Sequence, residues 1–242
     1  MSQTAVRVAI VDHGIGNRRS VEKALEHVGA EVVVTAAPEQ LAGADGLYLP
    51  GVGAFPAAMR ALRALSLVEV LRQLASAGKP ILGACLGMQL LFERSDEQGG
   101  AEGLGLLPGH VRELRAGDLK LPHIGWCEVF WSGRAHDAAG AYATPTDAPA
   151  GWPLSAGLPA RTFLYHVHSY VAEVGDPQIV LAEAEHGEVF PTVVGSGRIF
   201  GTQSHPEKSS AQGLRLLESF LAICAAAARQ PEATDSAKLS RR

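Results

Sequence analysis

The segment Pro80-Ile81-Leu82-Gly83-Ala84-Cys85-Leu86-Gly87 (residues 80–87) joins a short apolar run directly to a helical one. Its first part, Pro80–Gly83, predicts a buried strand, and Leu86–Phe92 predicts the helix that follows. The same alternation of strand and helix recurs upstream, where strands are expected at Val6–Val11, Glu31–Thr35 and Gly46–Leu49. Alternation of this kind is typical of a parallel sheet covered by helices on both faces.

The second half of the chain has a different pattern, with β-rich runs separated by Gly, Pro and Asp turns. These runs are Gly109–Arg115, Ile124–Phe130, Thr162–Val174, Ile179–Glu185, Val189–Val194 and Arg198–Gln203. They predict an antiparallel portion of the sheet, and a last helix is expected at about Ala211–Ala228. We therefore predict an α/β fold with a mixed, mostly parallel central sheet flanked by helices.

Length and composition predict one domain over residues 1–229, since 242 residues suit a single sizeable core. Residues 134–151 are rich in Ala, Pro, Asp and Thr, which predicts a surface insertion, and residues 230–242 predict a disordered tail. The net charge is −4 and no long basic run occurs, which argues against nucleic acid as the main partner.

The predicted compartment is the cytoplasm. No secretory leader and no apolar stretch long enough to cross a bilayer is recognised in the sequence. The three cysteines are too few and too scattered for a disulfide framework, which favours a reducing compartment and a free thiol with a chemical role.

The most informative thiol is Cys85, because Gly83 and Gly87 flank it with the spacing of a nucleophile elbow. A strand that turns sharply into a helix strains the central residue and leaves no room for side chains two positions away. Such a turn exposes the sulfur at the carboxyl edge of the sheet, where unpaired helix N–H groups favour a thiolate. Read alone, the cysteine could equally be a small buried apolar residue.

A base and its orienting acid are predicted at His205 and Glu207. They lie two positions apart around Pro206, which removes one soft dihedral angle, so that both side chains can point the same way. The carboxylate can then hold one imidazole nitrogen while the other faces Cys85. The alternative without chemistry is a solvated loop before a helix.

A tetrahedral intermediate needs two donors for its oxyanion. The amide of Leu86 follows the nucleophile, and the loop Gly51-Val52-Gly53 leaves a neighbouring strand with glycines that allow its backbone to approach a substrate. Gln89, one helical turn after the cysteine, is a candidate to bind the amide or the amino-acid end of the substrate.

His166 and His168 share one face of a predicted strand, a spacing that could suggest metal ligands. No third ligand of matching character stands nearby in the sequence, so no metal and no cofactor is predicted.

Taken together, the segments at 49–55, 83–89 and 203–209 resemble the class I, triad-type glutamine amidotransferases. Residues 12–21, 121–126 and 167–170 are similar, more narrowly, to the glutaminase subunits of imidazole glycerol phosphate synthase, an enzyme of histidine biosynthesis. The resemblance implies a flavodoxin-like fold and hydrolysis of L-glutamine to glutamate and ammonia. It also implies a heterodimer with a cyclase subunit, which uses the ammonia to make imidazole glycerol phosphate and an aminoimidazole carboxamide ribotide.

The resemblance also implies residue roles. It places three residues, His168, Ser169 and Tyr170, at the substrate, and four residues at the cyclase interface: Asn17, His123, Trp126 and Lys208. Three residues depart from the family pattern in regions expected to face the cyclase. These are His13 in place of the usual Tyr, Arg18 in place of Leu, and Cys127 in place of Asn.

Two other functions remain open at the level of sequence. A cysteine-type α/β hydrolase acting on esters or lactones shares the elbow, although its acid usually precedes the histidine on a separate loop, whereas Glu207 follows His205. A non-enzymatic subunit with a decayed site would conflict with the intact set of Cys85, His205 and Glu207.

Overall fold

The computed structural model describes residues 5–14, 16–131, 153–159 and 161–229. The predicted insertion at 134–151 and the predicted tail at 230–242 lie outside the described residues.

Thirteen strands and six α-helices make up this part of the chain. The strands are β1 (Arg7–Val11), β2 (Glu31–Thr35), β3 (Gly46–Leu49), β4 (Ile81–Ala84), β5 (Arg94–Ser95), β6 (Ala101–Glu102), β7 (Gly109–Glu113), β8 (His123–Phe130), β9 (Arg161–His168), β10 (Tyr170–Val174), β11 (Val180–His186), β12 (Glu188–Ser196) and β13 (Ile199–Thr202). The helices are α1 (Arg18–His27), α2 (Pro38–Gly43), α3 (Phe55–Ala64), α4 (Leu67–Ser76), α5 (Leu86–Leu90) and α6 (Ser210–Arg229).

A nine-stranded sheet in the order β2-β1-β3-β4-β13-β12-β11-β8-β9 forms the centre of the fold. The first five strands of that order pair in parallel, and the remaining four continue the sheet in antiparallel fashion. The prediction of a mixed α/β sheet is thereby confirmed. The parallel arrangement brings the carboxyl ends of β3, β4 and β13 to one edge, and the loops that carry the predicted site start there.

A second sheet, in the order β10-β7-β5-β6, differs from the sequence prediction. The apolar pattern predicts one strand over Thr162–Val174, but the run breaks at Ser169, whose carbonyl accepts a hydrogen bond from the Leu114 amide at 2.9 Å. The chain leaves the central sheet there, and β10 pairs antiparallel with β7. Apolar periodicity could not locate this break, because both halves of the run carry alternating apolar residues.

The parallel part of the central sheet is buried on both faces, as its apolar strands predict. In β1, Val8 and Ile10 join one core cluster, whereas Ala9 and Val11 join the other. Helices α1 and α6 supply the first cluster, and α3, α4 and α5 supply the second. Since successive side chains of a strand point to opposite faces, an uninterrupted apolar strand is what a doubly covered sheet requires.

Helix α6 is the one helix among the described residues with the length and hydropathy of a membrane span, contrary to the expectation from the sequence. Its apolar residues are used in the core instead: Leu216, Leu217 and Phe220 are fully buried against the central sheet. Length and composition alone do not separate a core helix from a membrane span.

Candidate active site

Cys85 occupies the turn between β4 and α5, with φ +54° and ψ −115°. This backbone conformation is strained for a residue with a side chain. The turn is tight, because a Cβ atom on Gly83 would lie 2.5 Å from the carbonyl oxygen of Gly87. The Cys85 amide donates to the carbonyl of Thr202 at 2.7 Å, which ties the nucleophile to β13. The structure thus shows a nucleophile elbow and the steric reason for its two glycines.

His205 begins the tight turn that follows β13, and this turn is fixed to β9. The His205 amide donates to the Tyr165 carbonyl at 2.8 Å. The Ser209 hydroxyl donates to the His205 carbonyl at 2.7 Å and accepts from the Tyr165 amide at 2.9 Å. Within the turn, His205 Nδ1 donates to Glu207 Oε1 at 3.0 Å, in the geometry predicted for an oriented base.

The imidazole of His205 faces the thiol of Cys85, and both side chains are almost fully buried. Burial by itself lowers the pKa of this histidine, but hydrogen bonding to Cys85 and Glu207 outweighs burial and raises the pKa to about 10. The raised pKa favours an imidazolium beside the sulfur, as in a thiolate–imidazolium pair. The sulfur lies 3.5 Å from the Val167 carbonyl oxygen, so β9 also closes over it.

A cavity of about 290 Å³ opens at this point and exposes the sulfur to a small ligand. It lies between the end of β9 and the start of α5, at the carboxyl edge of the sheet. The residues predicted from sequence that line it are Val52, Gly53, Cys85, Leu86, Gln89, His168, Ser169, Tyr170, His205 and Lys208. Glu207 lies behind the imidazole, outside this cavity, as an orienting acid should.

The two predicted oxyanion donors lie side by side. Leu86 is the first residue of α5, so its amide has no carbonyl partner within the helix. Gly51 packs so closely on this turn that a Cβ atom there would lie 2.6 Å from the Gly87 nitrogen. Gly53 has φ +91° and open space around it, and Val52 between the glycines is partly exposed at the cavity edge. The loop can therefore present a backbone amide to a substrate beside Leu86.

Gln89, a candidate from the sequence to bind substrate, uses part of its side chain within the protein. Its Nε2 donates to the Tyr170 carbonyl at 2.9 Å and to Gln203 Oε1 at 3.0 Å. These bonds commit the amide nitrogen to the protein, which leaves the carbonyl oxygen as the part of Gln89 that can reach a ligand. No local sequence pattern indicates this use, because both partners are distant along the chain.

Four histidines, His123, His166, His168 and His186, form a cluster beside the cavity. His123 stacks on His186 with ring centroids 4.1 Å apart, and its Nδ1 lies 3.2 Å from His168 Nε2. His123, which the resemblance places at the cyclase interface, has its side chain buried in this cluster. Across the described ranges, no group of three or more His, Cys, Asp or Glu has metal-binding geometry.

We expect this cluster to make the fold acid-labile. Burial lowers the pKa of His123 to about 4 and of His166 to about 3, and it lowers that of His168 well below the usual value. Unfolding lets these side chains bind protons below pH ~6.5, so the free energy of unfolding falls as the pH drops from there. Each such histidine contributes a slope of about 1.4 kcal/mol per pH unit. Urea unfolding at pH 7.5, 6 and 5 gives the free energy of unfolding at each pH and so measures this slope.

The matched variant for this pH dependence combines His166→Phe with Thr192→Val. The His166 Nε2 lies 2.7 Å from the Thr192 hydroxyl, so Thr192→Val removes the hydroxyl that His166→Phe would otherwise leave without this partner. We expect a shallower slope between pH 6 and 5 than in the parent chain. An unchanged slope would show that His166 is not held neutral in the fold.

The three departures from the family pattern have structural roles. His13 is buried and its Nε2 lies 3.0 Å from the Pro50 carbonyl oxygen, at the base of the oxyanion loop. Arg18 forms an ion pair with Asp12. Cys127 points inward from β8 toward the Glu185 carbonyl at 3.6 Å, because adjacent strand residues face opposite sides and Trp126 takes the outer one. The side chains of His13 and Cys127 face the interior, so neither can itself contact a partner from the protein surface.

Gln203, Val167, Glu97 and Pro122 are site residues that sequence reasoning missed. Residues of these four types are common in loops and strands, and none of the four stands at a sequence spacing that indicates a catalytic role. The pairing of β9 with the turn after β13 brings Val167 and Gln203 to the sulfur, and Glu97 and Pro122 line the cavity from other parts of the chain. These contacts are tertiary information.

Comparison with known families agrees with this geometry. The class-I glutamine amidotransferase family model matches residues 9–224. Among solved structures, a glutamine amidotransferase aligns with a TM-score of 0.67 at 19% identity, covering 90% of this chain and 98% of that one. A putative GMP synthase subunit from Thermoplasma acidophilum aligns with a TM-score of 0.66 at 18% identity, covering 94% and 98%. At such identities these structures show a shared fold.

Curated relatives are closer in sequence. The imidazole glycerol phosphate synthase subunit HisH of Bacillus cereus (strain G9842) is 45% identical over 216 residues, which cover 89% of this chain and 94% of the relative. The subunit of the same name from Symbiobacterium thermophilum is 46% identical over 214 residues, covering 88% and 92%. The chain therefore belongs to the class-I glutamine amidotransferase family and, within it, to the HisH subunits of imidazole glycerol phosphate synthase.

Proposed function

We propose that this chain is the glutaminase subunit of an imidazole glycerol phosphate synthase. It hydrolyses L-glutamine to glutamate and ammonia and passes the ammonia to a cyclase subunit in histidine biosynthesis. The observation that carries the proposal is the juxtaposition of Cys85, in a strained elbow, with an imidazole that Glu207 orients at 3.0 Å. The family match makes an amide, not an ester or lactone, the favoured substrate.

In this mechanism the Cys85 thiolate attacks the carboxamide carbon of glutamine. The resulting oxyanion is held by the amide of Leu86 and by an amide of the Gly51–Gly53 loop. His205 gives its proton to the departing ammonia, which leaves a glutamyl thioester on the sulfur. The neutral imidazole then removes a proton from the water that hydrolyses the thioester, and Glu207 keeps the ring oriented throughout.

The cavity accounts for the amino-acid end of the substrate. Gln89 offers its carbonyl oxygen, an acceptor suited to the α-ammonium group. Ser169 and Tyr170 line the same wall, where the chain passes from the central sheet to the second sheet. We propose that His168, Ser169 and Tyr170 bind substrate through this wall.

The partner surface is the β8–β9 patch, which we define as Ile124, Trp126, Phe163 and Tyr165. Ile124, Trp126 and Phe163 are 61%, 53% and 49% exposed, although all are large apolar side chains. Strand pairing places all four on one face of the sheet. Lys208, whose ammonium lies 5.9 Å from the Tyr165 ring centroid, links the patch to the cavity. Exposed apolar patches of this kind mark protein–protein contacts, and a cyclase seated here would adjoin the source of ammonia.

The remaining proposals concern the cellular compartment, the boundaries of the domain and one further interface residue. All three cysteines are free thiols, which supports a reducing compartment, and we propose the cytoplasm. We also propose residues 1–229 as one amidotransferase domain, of which the family match covers 9–224. Asn17, which lies at the start of α1 near the oxyanion loop, is a further proposed interface residue.

The decisive experiment mixes the purified chain with a cyclase subunit of the same enzyme and supplies either glutamine or ammonium salt. We expect imidazole glycerol phosphate from both nitrogen sources with the mixture, and only from ammonium with the cyclase alone. Product from ammonium but never from glutamine would refute the proposal. Hydrolysis of simple esters by the chain alone, without glutamine hydrolysis, would favour the rival hydrolase.

Hydrolysis by the isolated chain is expected to be slow. The Val52 peptide lies between Gly51 and Gly53 at the cavity edge, so it can rotate and withdraw its amide from the oxyanion. Loss of one oxyanion donor costs about 10²–10³ in turnover, and we expect a deficit of that order without the partner. This deficit is measured by comparing the glutaminase rate of the chain alone with its rate in the presence of the cyclase and the nucleotide ligand of the cyclase. Full activity of the chain alone would eliminate this gating.

A further inference from the structure

Gln203 is a completely buried glutamine that sits between β13 and His205 and contacts the reacting sulfur. Its backbone N–H donates to the Thr192 carbonyl oxygen at 2.7 Å, which fixes the residue to β12. Its side-chain Nε2 lies 3.8 Å from Cys85 Sγ. No step of the mechanism above uses this side chain.

The orientation of the Gln203 amide is set by a chain of hydrogen bonds. The Tyr170 carbonyl can only accept, so the end of Gln89 that meets it at 2.9 Å must be the NH₂ group. The same NH₂ group donates to Gln203 at 3.0 Å, so Gln203 must turn its oxygen toward Gln89. Its own NH₂ group is then directed at the sulfur, and the opposite assignment would place two donors or two acceptors together.

The other neighbours of the sulfur make this donor important. The Val167 carbonyl oxygen, 3.5 Å away, is an acceptor and disfavours a negative charge on the sulfur. His205 supplies a positive charge, but it must give up its proton to ammonia during the reaction. In a buried site, a fixed N–H donor stabilises an anion strongly, because little water competes with it.

We propose that Gln203 is a further catalytic residue, whose amide donates to the Cys85 sulfur in its thiolate form and aims it at the substrate. Gln89 is a positioning residue for this contact, through its hydrogen bond to Gln203 Oε1. The inference rests on the proposed glutaminase function and extends it to the preparation of the nucleophile.

The test is the pH dependence of Cys85 alkylation by iodoacetamide in the full chain, followed by mass spectrometry of the peptide that contains Cys85. Only the thiolate reacts, so the inflection of the rate reports the thiol pKa. Gln203→Met removes the donor with little change in volume. We expect it to move the inflection upward by about one pH unit, a tenfold loss of thiolate at a given pH below the inflection.

Gln203→Glu is the second variant. It keeps an oxygen for Gln89 but turns a second, charged oxygen toward the sulfur, so we expect a larger upward shift than in Gln203→Met. Because a carboxylate raises the thiol pKa whether or not the native amide donates to the sulfur, it is Gln203→Met that tests the donor. If Gln203→Met does not fold, as judged by its unfolding transition, Gln203→Leu, which also lacks a donor, takes its place.

The control is Gln212→Met, since Gln212 accepts from the Phe163 amide on an exposed surface away from the sulfur. Its inflection should equal that of the parent chain. In the complex with cyclase, the Gln203 variants should lose kcat for glutamine with KM within about twofold, because Gln203 touches the sulfur and not the substrate. An unchanged inflection in Gln203→Met, or in Gln203→Leu where it takes its place, with a reactive and glutamine-hydrolysing parent, would overturn this inference alone. A parent that neither alkylates at Cys85 nor hydrolyses glutamine would overturn the proposed function itself.

Discussion

Replacing Cys85 by alanine is expected to lower glutamine hydrolysis by about 10⁴–10⁶-fold, the range seen when a triad loses its nucleophile. The expectation follows from the site: the sulfur is the atom held in the strained elbow, next to the imidazole and the Leu86 amide. Without it, no thioester can form. Glutamate release by the complex with cyclase, measured at saturating glutamine, gives the effect.

Two controls make the Cys85→Ala result specific. The variant chain should still co-elute with the cyclase subunit in gel filtration, which shows that it is folded and docked. Cys224→Ala should keep glutamine turnover close to the parent level, because Cys224 lies on the buried face of α6, where burial raises its pKa to about 12 and leaves it without chemistry. Near-normal glutamine hydrolysis by Cys85→Ala would contradict the assignment of the nucleophile.

The sequence predicted the parts of this site that depend on local chain geometry. The elbow around Cys85 was predictable, because a strand, a strained residue and two glycines lie within five positions. The orientation of His205 by Glu207 was predictable for the same reason, since a two-residue spacing around a proline leaves few conformations. The parallel pairing of the strands in the first half of the chain followed from the alternation of strands and helices.

What the sequence missed depends on pairing between distant segments. Ser169 ends β9 because the chain there meets Leu114, 55 residues earlier, by a hydrogen bond that no local pattern encodes. Gln89 donates to Gln203, and the two are 114 residues apart, so the internal use of the Gln89 nitrogen could not be predicted from the sequence. The burial of His123 could not be predicted either, because only the tertiary structure brings three other histidines around its ring.

The largest structural effect is expected from Gly87→Ala, which tests the packing of the elbow itself. A Cβ atom on Gly87 would lie 1.9 Å from the Leu49 carbonyl oxygen, well inside van der Waals contact. The neighbour is backbone of β3, so no side-chain rotation relieves the collision. Overpacking of a close-packed interior costs about 1–3 kcal/mol, occasionally more. We expect a loss of about 3 kcal/mol in the free energy of unfolding, measured by urea titration.

The same substitution should also reduce turnover at temperatures where the variant stays folded. Relief of the collision requires α5 to move away from β3, and that movement separates the Leu86 amide from the loop at Gly51, which packs on the same turn. Gly43→Ala is the matched control, since a Cβ there has open space and the residue lies at the end of α2. Its stability should stay within about 0.5 kcal/mol of the parent. If Gly87→Ala matched Gly43→Ala in both stability and turnover, the close approach of β3 and α5 could not be what assembles the oxyanion site.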